Sequence, residues 1–125
     1  MVGEEKVKIK SFTDLYAWKE GHKLVLVVYK VTERFPQKET FGLTSQMRRC
    51  AISITSNIAE GFSRTTSKDK RQFYSIAQGS LTELQNQLLI SRDIGYLENT
   101  RFQEIAQQTI LVNKLLNGLK RIGRQ

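Results

Sequence analysis

The stretch SITSNIAEGFSR, Ser53 to Arg64, decides how the rest of the chain is read. Ile54, Ile58 and Phe62 recur every fourth residue, the spacing of one face of a helix. Ser53, Ser56, Asn57 and Glu60 crowd one flank of that face. Gly61 is expected to end the helix as a left-handed residue at C′, with Phe62 as the hydrophobic residue that follows such a cap. Read backwards, the apolar stripe continues as Ala51, Cys50, Met47 and Leu43, so the pattern predicts a helix over 43–60. The polar flank lengthens with it. At about 100° per residue, Gln46, Arg49, Ser53, Ser56, Asn57 and Glu60 share one side.

Three further helices follow from the same reading. The first is expected near Thr13 and Asp14, a capping residue followed by an acid in the first turn. It runs through LYAWKEGHKLVLVVYKVTERF and stops at Phe35-Pro36, because a residue before proline is pushed out of the helical region. Gly21 inside it is a mild weakness. The third starts within TTSKDK, where Thr66 and Asp69 have capping-box spacing. It carries Phe73, Ala77, Leu81, Leu84 and Leu88 and ends near Ile94, with Gly95 as the stop. The fourth starts near Thr100, with Gln103 completing a second capping box. It carries Phe102, Ile105, Ala106, Val112, Leu115, Leu116 and Leu119.

Only KVKIK alternates, and it is too short to build a sheet. Four helices with short breaks predict an all-α fold, an antiparallel up-and-down four-helix bundle. Residues 1–12 form a basic N-terminal arm, 13–119 the bundle, and 120–125 a basic C-terminal tail. The first helix is apolar almost all round at LVLVVY, and Ile52, Ala59 and Leu89 lie off the core stripes. Surplus apolar surface of this kind predicts a homo-oligomer.

Composition narrows the class. The chain has 125 residues, one Pro and a net charge of +8. One domain with a buried core fits that length. The charged start MVGEEKVKIK is not a signal peptide, and LVLVVY is too short to span a bilayer, so no membrane partner is expected. A lone Cys50 gives no disulfide framework and predicts a cytoplasmic protein. The positive charge points to nucleic acid or another anionic partner.

The polar flank of the second helix has a structural reading. Folding the second and third helices about Arg64 and Thr65 sets Arg49 level with Ser80 and Glu83. It sets Glu60 level with Lys68 and Arg71. A half-buried carboxylate needs a cation, and the planar fork of Arg suits one. Gln46, Arg49, Ser53, Asn57, Glu60, Ser80 and Glu83 are therefore expected to form a polar seam with Arg49–Glu83 and Glu60–Arg71 pairs. Gly79 is expected to let those helices approach closely. Two other readings remain open: a seam that lines a ligand or nucleic-acid surface, and Glu60 with Glu83 as an acid/base pair.

Catalytic and cofactor motifs are missing. The only histidine, His22, cannot supply the Glu-x-x-His pairs of a di-iron bundle or the base of a serine hydrolase. No paired-Cys zinc pattern, H-E-x-x-H or glycine-rich phosphate loop occurs. The reading is a non-enzyme without cofactor, metal or catalytic residues. The start of the third helix, RTTSKDKRQF, offers free backbone N–H groups and a positive helix end. Arg64, Lys68, Lys70 and Arg71 add cations there. Arg48, Lys120, Arg121, Arg124 and the arm residues Lys6, Lys8 and Lys10 could extend the patch. These are phosphate contacts to RNA or DNA, which position a strand without reading its sequence. Tyr74 and Tyr96 are the candidates for base stacking.

FTDLYAWKEGHKL, FGLTSQMRRCAISITSNIAEG and RQFYSIAQGSLTEL resemble the four-helix bundle proteins encoded in 23S rRNA intervening sequences of bacteria. The accessory variability protein of diversity-generating retroelements is similar and belongs to the same wider group. The resemblance covers about Phe12 to Leu119 and falls on Gln46, Arg49, Ser53, Asn57, Glu60, Gly61, Arg71, Gly79, Ser80 and Glu83. Cys50 and Thr55 stand where relatives often have Ala and Pro. The resemblance implies a homopentamer of bundles with a basic surface and no established catalytic residue. It also implies binding to nucleic acid or to a nucleic-acid enzyme such as a reverse transcriptase. The alternative to nucleic-acid binding is a protein-protein scaffold docking an acidic partner or such an enzyme.

Overall fold

The computed structural model describes residues 8–122, so Lys6 and Arg124 lie outside the described residues. Among these residues the chain is all-α, with no strand. Four helices carry the fold: α1 (Tyr16–Thr32), α2 (Leu43–Ser63), α3 (Ser67–Asp93) and α4 (Asn99–Ile122). Each puts an apolar stripe inward. Leu24 and Val28 from α1, Met47, Ile54 and Ile58 from α2, Leu81, Leu84 and Leu88 from α3, and Ile105, Val112 and Leu116 from α4 are all but fully buried. Removing one such side chain from water contributes about 1.5–3 kcal/mol. The 3.6-residue periodicity therefore locates the core correctly.

The helix ends show which local signals were used. Ser11, not Thr13, opens the first turn among the described residues. Its hydroxyl accepts from the Thr13 N–H, and the Asp14 carboxylate accepts from the Ser11 N–H, a capping box around a 3-10 turn, Phe12–Asp14. The backbone N–H groups of Lys10 and then Ser11, both donating to the Asp14 carboxylate, hold it below its ordinary range. α1 stops at Thr32, three residues before Phe35. Arg34 N–H and Phe35 N–H then bond to carbonyls three residues back, the tightening expected ahead of Pro36.

α3 begins and ends as the sequence suggests. The Thr66 hydroxyl accepts from the Asp69 N–H. At the other end Gly95 has φ +90°, Tyr96 N–H bonds to Ser91 O at 2.9 Å, and Gly95 N–H bonds to Arg92 O at 3.1 Å. That pair is a Schellman motif. α4 starts one residue before Thr100, so Thr100 and Gln103 sit inside the helix rather than forming a capping box.

Gly61 overturns an expectation. It is buried inside α2, which continues to Ser63, and its φ is not positive. A Cβ there would lie 2.7 Å from Tyr74 Cε1 and 3.1 Å from Phe73 Cβ. Gly61 is present because α3 comes too close for any side chain. Gly79 overturns another: it is exposed, with no atom of the described residues within 4 Å of where its Cβ would stand, so it mediates no contact between α2 and α3.

The loops are tied to one another at the far end. Glu39, in the 3-10 turn Gln37–Glu39, accepts from Leu43 N–H at 3.2 Å and from Tyr96 hydroxyl at 2.9 Å. One carboxylate thus caps α2 and holds the α3–α4 connection. Both bonds keep Glu39 below the ordinary carboxyl range, and the same bond raises Tyr96. On the α1–α4 side, the Gln108 amide donates to Glu20 O at 2.9 Å and to its carboxylate at 3.0 Å.

Gly61→Ala is expected to destabilise the protein. Overpacking against Tyr74 costs about 1–3 kcal/mol, more than the roughly 1 kcal/mol of helix propensity gained. Urea unfolding checks this, and a more stable Gly61→Ala would contradict the close approach.

Candidate nucleic-acid interface and the polar seam

α2 and α3 form the most extensive helix pairing in the fold. Along it the seam is neutral rather than ionic. Ser53 Oγ and Ser80 Oγ lie 2.9 Å apart, and Asn57 Nδ2 donates to Ser53 O at 2.8 Å and to Ser53 Oγ at 3.1 Å. The buried Cys50 thiol donates to Ser80 O at 2.9 Å. Burial, and then the neighbouring Glu83 carboxylate, push that thiol up to about 12. Cys50 is a small core residue and a donor, held in its protonated form.

The two expected ion pairs are not formed. Arg49 and Glu83 line one hollow with Phe41, Gln46, Ser53 and Ser80, as the helix register requires, but both are exposed and make no ion pair with each other. Glu60 pairs with Arg64 one turn on, at 2.9 Å, rather than with Arg71. The reason is desolvation. Short hydroxyls and an amide fit between closely packed helices at little cost, whereas a long charged pair keeps its hydration at the edge. Gln46 is likewise exposed on the rim.

An acid/base pair of Glu60 and Glu83 fails on geometry. Glu83 neighbours Cys50, and Cys50 stands ten residues from Glu60, about 15 Å along α2. Paired carboxylates acting on one bond stand roughly 5–9.5 Å apart. His22 stacks on Trp18 at 4.7 Å. Among the described residues no group of three or more His, Cys, Asp or Glu side chains is placed to hold a metal ion, and no helix is long and apolar enough to cross a membrane.

The basic residues divide. Arg64, Lys68, Lys70 and Arg71 surround the α2–α3 connection, and Lys120 and Arg121 occupy the last turn of α4. Lys120 Nζ donates to Gln78 Oε1 of α3 at 2.8 Å, which brings the α4 end against α3 two turns from Arg71. These six cations therefore share one end of the bundle. Their roles differ. Lys70 Nζ donates to Phe62 O at 2.7 Å and closes the last turn of α2, where a cation also suits the helix dipole. Arg64 stacks on Phe73 with 4.6 Å to the ring centre while paired to Glu60. Lys68 and Arg121 are exposed with no ion pair among the described residues.

Other expected contributors fall elsewhere. Arg48 is sixteen residues from Arg64, about 24 Å along α2. Its guanidinium donates to Thr32 hydroxyl and Tyr29 O and stacks on the Tyr29 ring, so it joins α1 to α2. Tyr74 is buried against Gly61 and cannot stack on a base. Tyr96 is half-buried and bound to Glu39. Lys8 and Lys10 are exposed ahead of the Phe12–Asp14 turn.

Sequence reasoning missed a second polar seam, between α3 and α4. Gln78 donates to Asn113 at 3.1 Å and to Asn117 at 2.7 Å, and Gln85 donates to the buried Thr109 hydroxyl at 3.0 Å. The signal was present: Asn113 and Asn117 are four apart, beside the core residues Val112 and Leu116.

A family profile described as 23S rRNA-intervening sequence protein matches residues 13–118. The chain belongs to that family. Among solved structures it is similar to a protein of unknown function from the S23 ribosomal protein family of Bacteroides thetaiotaomicron VPI-5482. The TM-score is 0.77 at 18% identity, over 84% of this chain and 95% of that one. At that identity the likeness concerns the fold. No curated protein matches.

At pH 8 roughly one Cys50 thiol in ten thousand would be ionised, given a value near 12. Modification by a thiol reagent should run at least about a hundredfold slower in the native protein than in urea. Equal rates would contradict the buried, hydrogen-bonded thiol.

Proposed function

We propose that this intervening-sequence protein is a non-enzymatic bundle that binds RNA or DNA by phosphate contacts at one end. The observation that carries this reading is the gathering of Arg64, Lys68, Lys70, Arg71, Lys120 and Arg121 where the α2–α3 connection meets the last turn of α4. At the start of α3 the Thr66 hydroxyl takes the Asp69 N–H, but the Ser67 and Lys68 N–H groups have no partner among the described residues, and with the positive helix pole they favour phosphate. Glu60 and Asp69 are the acids nearby, and Glu60 is neutralised by Arg64. With no free aromatic at that end, base readout has no instrument, so binding is weakly specific. The family is named for intervening sequences of 23S rRNA, which makes RNA the first ligand to test.

In this reading the helices run antiparallel, up and down. The contacts Gly61 with Tyr74, Ser53 with Ser80, and Met47 with Ser91 support that sense for α2 and α3. The protein works in the cytoplasm as a homo-oligomer, a pentamer by its resemblance to relatives. A second reading, a scaffold for an acidic protein or a nucleic-acid enzyme, is favoured by Leu26 and Ile110, each 57% exposed on α1 and α4.

Fluorescence anisotropy with labelled RNA and duplex DNA across a salt series tests the main reading. The expected log–log slope corresponds to about three or more phosphates. Lys68→Glu and Arg121→Glu should each weaken binding for all sequences and reduce the slope by about one. Lys38→Glu, at the opposite end, should not. Equal weakening by Lys38→Glu, or no binding at about 50 mM salt, would overturn it.

A further inference from the structure

One face of the molecule carries features that its own chain does not use. Ile76, Gly79, Glu83 and Ile90 on α3, and Ile94 at its C-cap, follow one another at steps of three, four, seven and four, so they share a side. The three isoleucines are 41–52% exposed. Gly79 interrupts a 27-residue helix, where glycine is weaker than alanine, yet among the described residues nothing lies within 4 Å of where its Cβ would stand. A bare helix surface of that kind permits close approach by another backbone. Beside it Arg49 and Glu83 line a hollow of about 390 Å³, each without an ion pair among the described residues. At the rim stands Phe41, 96% exposed. It is not on a loose loop, because Glu39 binds the Leu43 N–H two residues on.

We propose that this α2–α3 face is the contact between copies of the chain, with Arg49 of one copy on Glu83 of the next, Gly79 at the point of closest approach and Phe41 covered. The proposal rests on the homo-oligomeric reading above and names its surface. Charge selects the occupant. The chain carries +8, so copies repel over most of their surfaces. This hollow instead holds one cation and one anion, neither in an ion pair among the described residues, so each can meet its opposite on a neighbouring copy. A phosphate backbone would meet Glu83 at the centre of the face. The apolar side chains supply area, and the charged pair fixes register.

Sedimentation velocity on the full chain, with circular dichroism for folding, tests it. The wild type is expected to be a multimer at roughly 100 µM. Gly79→Gln should stay helical and dissociate at least about tenfold more readily. Arg49→Glu and Glu83→Arg should each do the same, and the double variant should recover assembly. If the single variants keep the wild-type mass, this face is not the interface, although self-association stands. A monomeric wild type would overturn both the face and the oligomeric reading. A double variant that stays dissociated overturns the Arg49–Glu83 contact. Gly79→Gln that weakens RNA binding with assembly intact would mean that the face serves RNA instead.

Discussion

Gly61 in the last third of α2 and Tyr74 in the first third of α3 meet with no room between them. Much of the architecture depends on that contact. It brings α2 and α3 close enough that only short side chains fit along their shared edge. Ser53, Ser80, Asn57 and Cys50 occupy that edge and satisfy one another. Long charged residues are displaced to the rim, where Arg49 and Glu83 remain. A tight neutral seam is cheaper than a buried ion pair, whose desolvation often exceeds its attraction. Of the polar residues in SITSNIAEGFSR, Ser53 and Asn57 belong to this seam, whereas Ser56 and Glu60 face solvent.

The same geometry sorts the positive charge. At the end where α2 turns into α3, closing α2 occupies Lys70, and Glu60 occupies Arg64. Lys68 and Arg121 are left facing solvent, and the Lys120–Gln78 bond draws the end of α4 into the same region. At the other end Glu39 ties two connections together. The bundle therefore has a mixed-charge end, where Glu39 joins two connections, and a cationic end. In the function proposed above, the cationic pole is the one that meets a phosphate backbone.

The helices and their inward faces were legible because hydrophobic spacing reports them directly: Met47, Ile54 and Ile58, or Leu81, Leu84 and Leu88, could face only one way. Gly95 was legible too, since a left-handed residue after a helix has a local signature. Gly61 was not. Its sequence context reads equally as a helix stop, and its reason for being glycine lies thirteen residues away in Tyr74. Gly79 was misassigned for the converse reason: its neighbours in this chain leave it open. The helical wheel brought Arg49 and Glu83 to one hollow but could not decide the last few ångströms, which solvation settles. Among the cations, charge alone could not separate Lys68 from Lys70, because the difference is which carbonyls lie within reach.

Native-state hydrogen exchange tests the central claim most directly, that the α2–α3 pairing is the part on which the rest is assembled. Amides around Ser53, Ile58, Tyr74 and Leu81 should exchange only through global unfolding, with opening free energies equal to the total stability. Amides of α1 and the start of α4 should open at lower free energy. The account would be contradicted if α1 and α4 were the slowest to exchange while α2 and α3 opened first.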